Sequence, residues 1–281
     1  MSPTLGDLLA AARQRLAATP FGAPPREAAL LLGHVLGLSE AQLLARDREP
    51  APPPAAARFE SLLARRLTGE PVAYLTGTRE FWGRAFRVDR RVLIPRPETE
   101  HVVEAALAEP LPQRPRLLDV GTGSGCLAIT LALEIPAARL VAADLSPGAL
   151  AVAAANAREL GAAGRVAFLA GDLAAGIDLT AFDLVVSNPP YIDPAELPGL
   201  SPEVCAFEPR LALSPRGAGD LLLARLLQQA TGLRRGARLI VEIGARQRDA
   251  VVRHGAVAGL SLAAERADYA GIPRVLVFER S

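Results

Sequence analysis

The sequence predicts an α/β protein: a doubly wound, mostly parallel sheet of seven strands with an antiparallel C-terminal strand, preceded by a small N-terminal helical bundle and a connecting β-hairpin. Three observations predict it. Beyond residue 114 apolar strand runs alternate with helical stretches, the pattern of a parallel sheet covered on both faces. The last two strand runs are joined only by A-D-Y-A-G-I-P, short enough for antiparallel pairing. Before residue 66 the apolar residues recur at helical spacing with no strand-like segment among them.

In the first region Leu5, Leu8, Leu9 and Ala12 share one helix face. Ala29, Leu30, Leu32 and Val35 share another, as do Phe59, Leu62, Leu63 and Leu67. Proline-rich breaks at 20–25 and 50–54 punctuate them. Residues 1–73 are therefore expected to form a helical domain. Residues 74–96 change to aromatic and β-branched residues around Gly83, which predicts a hairpin linker. Six arginines against Glu80 and Asp89 make this linker basic, a means of steering an acidic partner. The remaining domain, 97–281, carries strand runs at 116–120, 139–144, 165–170, 182–186, 237–243, 261–266 and 274–280. Helices are expected between them, among them Cys126–Glu134 and Pro147–Leu160.

A chain of 281 residues, half of them hydrophobic, has ample material for a core. Its net charge of +1 gives no global attraction for nucleic acid or an anionic membrane. All 31 basic residues are arginine, an absence of lysine more in keeping with coding bias than with chemistry. Cys126 and Cys205 lack C-x-x-C spacing, against a zinc site or dithiol centre and in favour of a reducing cytoplasm. No stretch has the length and apolarity of a bilayer span, and the N-terminus lacks a secretion signal.

The strand at 116–120 runs into D-V-G-T-G-S-G. Glycines 121, 123 and 125 let a ligand approach the backbone, and the following helix offers free N–H groups. Cys126 fits a dinucleotide fingerprint poorly, and the Gly-Lys-Ser/Thr of a P-loop is missing. What remains, Gly121, Thr122, Gly123, Ser124 and Gly125 led by Asp119, is the pattern used for S-adenosyl-L-methionine. Asp144 ends the second strand, where a carboxylate accepts ribose hydroxyls, and Asp172 with Leu173 ends the third, where adenine is expected. Each acid taken singly reads better as a helix N-cap. Three in succession favour a nucleoside-containing cofactor.

The fourth strand run, F-D-L-V-V, leads into S-N-P-P-Y-I at 187–192. Proline ends a central strand, but that explains neither Asn188 nor Tyr191. An amide or amino NH₂ is a poor nucleophile, so to accept a methyl group it must be held in line with its hydrogens on acceptors. The Asn188 side-chain carbonyl and the Pro189 main-chain carbonyl are two such acceptors. Pro189 and Pro190 stiffen their direction, and Tyr191 offers a flat face to a planar group.

G-T-G-S-G, Asp144 and N-P-P-Y in this order resemble class I S-adenosylmethionine-dependent amino-methyltransferases. Together with R-E-F-W-G at 79–83, V-L-I-P-R-P-E-T-E at 92–100 and F-E-P-R-L-A-L at 207–213, they resemble the release factor glutamine methyltransferase family, called PrmC or HemK. The resemblance covers nearly the whole chain and is weakest in the first fifty residues. It implies methylation of the side-chain amide nitrogen, N5, of the glutamine in the Gly-Gly-Gln motif of peptide chain release factors. It also favours Arg96 and Glu98 as pocket residues, where the residues alone allow Thr99 or Glu98 simply to cap a helix starting near Glu100. Leu221 departs from the family, which tends to carry glycine there. An adenine N6-methyltransferase of nucleic acids would present the same NH₂ chemistry, but the near-neutral charge and lack of a basic, aromatic target-recognition domain stand against it. An inactive cofactor-binding adaptor would have no need of an intact N-P-P-Y.

Overall fold

The computed structural model describes residues 3–19, 24–214 and 219–280. Residues 20–23 of the expected proline–glycine break lie outside that set. The chain divides into two compact units. One comprises residues up to Thr78 together with Leu200–Phe207, and the other comprises Arg79–Gly199 and Glu208 onward.

The first unit is built from helices among its described residues, Leu5–Ala17, Pro24–Leu36, Glu40–Ala45, Pro53–Leu67 and Val72–Thr76, with one isolated bridge between Thr4 and Pro50. Thr4 and Ser39 begin two of them with reciprocal capping boxes, so their first orphan N–H groups are satisfied locally. The apolar stripes meet in one cluster that includes Leu5, Leu9, Leu16, Leu32, Phe59 and Leu63. The helix Pro202–Phe207 belongs to this unit although it comes from far down the chain. Arg66, with no exposed side-chain surface, holds it by donating to both Glu27 and Glu203, at 2.9 and 2.7 Å.

The hairpin pairs β1 (Thr78–Phe81) with β2 (Arg84–Arg87). Residues 74–76, expected in the hairpin, instead complete the preceding helix, which stops at Gly77 in the left-handed conformation. Trp82 and Gly83 both have positive φ, the requirement of a two-residue turn whose twist matches the strands. Phe81 and Phe86 pack edge to face and are fully buried. The linker's basic character is largely cancelled: Arg84 pairs with Glu134, Arg87 with Glu159, Arg91 with Asp89 and Arg96 with Glu208. Four of the six arginines expected to steer an acidic partner are thus paired within the chain, which reduces the charge that segment can offer outward.

The second unit carries β3 (Arg116–Val120), β4 (Arg139–Asp144), β5 (Val166–Ala170), β6 (Leu184–Ser187), β7 (Arg238–Glu242), β8 (Leu260–Ala267) and β9 (Pro273–Arg280). Their spatial order is β5-β4-β3-β6-β7-β9-β8, with β9 antiparallel to both neighbours. Buried residues form clusters on both faces of the sheet, which is why β3 and β6 carry adjacent apolar residues, Leu117–Leu118 and Leu184–Val186, in place of strict alternation. Strand order reverses between β3 and β6, and in an open α/β sheet ligands bind at the carboxyl ends beside such a switch point. The glycine loop follows β3 and Asn188 follows β6, so topology alone brings the two motifs together.

Candidate active site

A cavity of about 470 Å³ opens at this switch point, a size suited to a small-molecule ligand. Gly121, Thr122, Gly123, Ser124, Asp144, Asp172, Leu173, Asn188, Pro190 and Arg96 border it, as expected from the sequence. Gly125 does not: it sits behind the loop with φ +83°, and a Cβ there would lie 2.7 Å from Ile129. Only glycine allows the loop to turn so closely into the helix Cys126–Glu134. At Gly121 and Gly123, also at positive φ, a Cβ would meet nothing within 4 Å. Backbone bordering open space is the cradle that a ligand needs.

Asp119 is fully buried and does not border the cavity, a correction to its grouping with the other strand-end acids. Its Oδ2 accepts from the Thr122 hydroxyl at 2.6 Å and from the Ala128 N–H at 3.1 Å, bracing the loop from below. Among the described residues its Oδ1 has no partner. Burial pushes its pKa up to about 7 despite those two donors. Asp144 is half-buried, and its two oxygens accept from the Gly123 and Ser146 N–H groups at 2.8 Å each. It is not the cap of the helix Pro147–Glu159, since Ser146 fills that role. Asp172 is exposed and paired with Arg225, another cavity residue, while Leu173 takes a left-handed φ of 55°.

Among the N-P-P-Y residues, Asn188 and Pro190 border the cavity, whereas Pro189 is buried and Tyr191 turns away. The Tyr191 ring packs in the core, and its hydroxyl donates to Glu242 Oε1 at 3.1 Å. The expected flat face for a planar acceptor is therefore corrected: the ring serves a buried carboxylate. Asn188 Nδ2 donates to Thr99 Oγ1 at 2.9 Å, and Thr99 donates to Glu242 Oε2 at 2.7 Å. No hydrogen bond reaches Asn188 Oδ1 or the Pro189 carbonyl among the described residues.

Glu242, the last residue of β7, is 1% exposed, and burial pushes its pKa up to about 7. Local spacing does not mark it as functional, and the one available signal is a glutamate inside the apolar run L-I-V-E-I. Thr99 does not cap the helix Glu100–Leu107, because its hydroxyl is committed to Glu242. Glu98 is exposed and lies outside the cavity lining, so its expected place in the pocket is corrected. Arg96 is held at the rim by Glu208, whose carboxylate also receives the Ile94 N–H. Glu208 thus pins the I-P-R segment to F-E-P-R, a link between two motifs that spacing could not reveal. Leu221 is the exposed first residue of the helix Leu221–Gln229, where a leucine fits without strain.

Among the described residues no helix is long and apolar enough to cross a membrane. Residues 7–77 match the PrmC N-terminal domain, and residues 102–199 match the methyltransferase small domain. A release factor glutamine methyltransferase of Cereibacter sphaeroides is 47% identical over 271 residues, 96% of each chain. One of Bordetella pertussis is 47% identical over 258 residues, covering 90% of this chain and 94% of its own. Among solved structures, a methyltransferase of Pyrococcus furiosus aligns with a TM-score of 0.54 at 16% identity, over 79% of this chain and all of its own. The hMettl16 catalytic domain, solved with an RNA hairpin, gives 0.57 at 15% identity over 82% of each chain. These last two share the fold. With a matching cradle at the switch point, a matching N-terminal domain and near-complete relatives at almost half identity, the chain belongs to the release factor glutamine methyltransferase family.

Proposed function

We propose that this chain is a cytoplasmic enzyme that methylates N5 of the glutamine in the Gly-Gly-Gln motif of peptide chain release factors, using S-adenosyl-L-methionine. The carrying observation is that Asn188, with an unclaimed carbonyl oxygen, borders the same cavity as the glycine loop and Asp144. The loop backbone, Asp144 and Asp172 with Leu173 fit the cofactor's methionyl, ribose and adenine parts respectively. When bound, the cofactor supplies an electrophilic methyl group on a sulfonium. Asn188 Oδ1 accepts one N–H of the glutamine amide and helps hold its nitrogen in line. The Pro189 main-chain carbonyl, without a hydrogen bond among the described residues although its side chain is buried away from the cavity, is assigned the second N–H. As positive charge develops on that nitrogen, the same oxygens offset it, and no strong base is needed because a proton leaves only after the methyl arrives. The N-terminal helical unit is assigned recognition of the release factor, since a glutamine loop in the cavity mouth buries far less than the roughly 1,200 Å² of a stable interface. Labelled methyl transfer to purified release factor, run beside duplex and single-stranded DNA, tests the reading. Transfer to release factor alone supports it, and transfer to adenine in DNA overturns it.

A further inference from the structure

Four side chains form one line of hydrogen bonds behind the cavity: Tyr191 to Glu242, Thr99 to Glu242, and Asn188 to Thr99. Their polarity is dictated from the carboxylate end. An ionised glutamate only accepts, so both the Tyr191 and Thr99 hydroxyls must donate to it. With its single proton committed, Thr99 can only accept from Asn188. Asn188 must then present its NH₂ to Thr99, which leaves Oδ1 as the atom free to face the cavity. An asparagine without such a constraint can turn its amide by half a revolution and offer a donor where an acceptor is needed.

We propose that Glu242 and Thr99 are positioning residues for methyl transfer: the carboxylate sets the direction of the Thr99 hydroxyl, and that hydroxyl locks the Asn188 amide with its carbonyl toward the acceptor nitrogen. The proposal rests on the methyltransferase reading above. A second consequence is electronic. Donation from Nδ2 into a chain ending on a negative charge polarises the amide and makes Oδ1 a stronger acceptor. Protonation of Glu242 undoes both effects, because a neutral carboxyl can donate to Thr99 and release its hydroxyl to turn toward Asn188. The charged groups acting on Glu242 are Glu98, near Thr99, and Arg274 on β9, itself paired with Asp268. Neither forms an ion pair with it among the described residues.

The test compares Glu242→Gln, Thr99→Val and Thr99→Ser with the parent, on whichever acceptor the parent methylates. Failure of the parent on release factor therefore counts against the functional reading and not against the relay. Glu242→Gln and Thr99→Val are expected to lower kcat at least 10-fold with cofactor Kd unchanged by calorimetry, and Thr99→Ser to stay within about 3-fold of the parent. The double variant Glu242→Gln, Thr99→Val is expected to lose no more than the worse single one, since both break the same line. In the parent, kcat is expected to rise with pH through about 7, and Glu242→Gln is expected to abolish that limb. Should Glu242→Gln not fold, the valine–serine contrast at Thr99 decides alone. Valine and serine variants of equal kcat, or losses in kcat matched by losses in cofactor affinity, would overturn the assignment.

Discussion

The two units each bury a carboxylate cluster, and the clusters are built on opposite terms. In the helical unit, Glu27 and Glu203 share the guanidinium of Arg66, so the negative charge meets a cation in fork geometry. Beside the cavity, Glu242 is more deeply buried and is hydrogen-bonded by two neutral hydroxyls, with no ion pair among the described residues although Arg274 acts on it at longer range. The first arrangement compensates its charge and ties distant chain segments together. The second leaves its charge under strain, seen in the upward shift of the Glu242 pKa. Charge without a paired cation is poor construction for stability, and the proposed relay gives it a use in orienting the Asn188 amide.

Four measurements would break or sharpen that contrast. Asn188→Ala removes the group that the strained cluster is arranged to hold, and kcat should fall 100- to 1,000-fold, about 3 to 4 kcal/mol, with cofactor affinity nearly unchanged. Turnover within a few-fold of the parent would sink the assigned role. Arg66→Leu strips the compensated cluster of its cation, leaving two carboxylates facing each other, and should lower unfolding free energy by about 3 kcal/mol in urea titrations. A change below about 1 kcal/mol would place this cluster with ordinary surface pairs. Asp144 is a third kind of carboxylate, half-buried and satisfied by two backbone N–H groups. Asp144→Ala should weaken S-adenosyl-L-methionine binding by about 2 kcal/mol in calorimetric titration, as for other hydrogen bonds to charged groups.

The smallest effect concerns pH and has opposite signs for stability and activity. Glu242 titrates near 7 in the fold against an ordinary 4.5, so the folded chain binds that proton more tightly than the unfolded chain. Its stabilising contribution is full below about pH 4.5 and is lost as pH rises through 7. Asp119 adds a shift of the same sign. Glu242→Gln should therefore reduce the loss of stability between pH 5 and 8 without removing it, since Asp119 still titrates. Thermal melts at the two pH values check this. An unchanged slope would mean that Glu242 is not the titrating group.

The sheet was legible in the sequence because each strand carries its own apolar run, and the glycine loop because three glycines in five residues between a strand and a helix, followed by two more strand-end acids, add up to more than a plain turn. Asn188 was legible because prolines at a strand mouth fix its place at the carboxyl edge. What was not legible depends on pairs far apart in the chain. Thr99 and Glu242 lie 143 positions apart, and Arg66 and Glu203 lie 137 apart. Thr99 read as a helix cap because capping is a local property, whereas its actual partner is set by where β7 ends. Tyr191 was misread for the same reason: its ring suggested a stacking face, while its hydroxyl was needed by a carboxylate that no local pattern places nearby.

The grip of Arg66 on Glu203 also bears on how such a protein can be recombined. The helical unit is not one stretch of sequence, since eight of its residues, Leu200–Phe207, are encoded after the N-P-P-Y motif. A chimera joined at a single crossover near residue 78 would inherit the arginine from one parent and its glutamate partner from the other. Exchange of the helical unit between relatives therefore needs two linked replacements, and Arg66 and Glu203 mark where the second must fall.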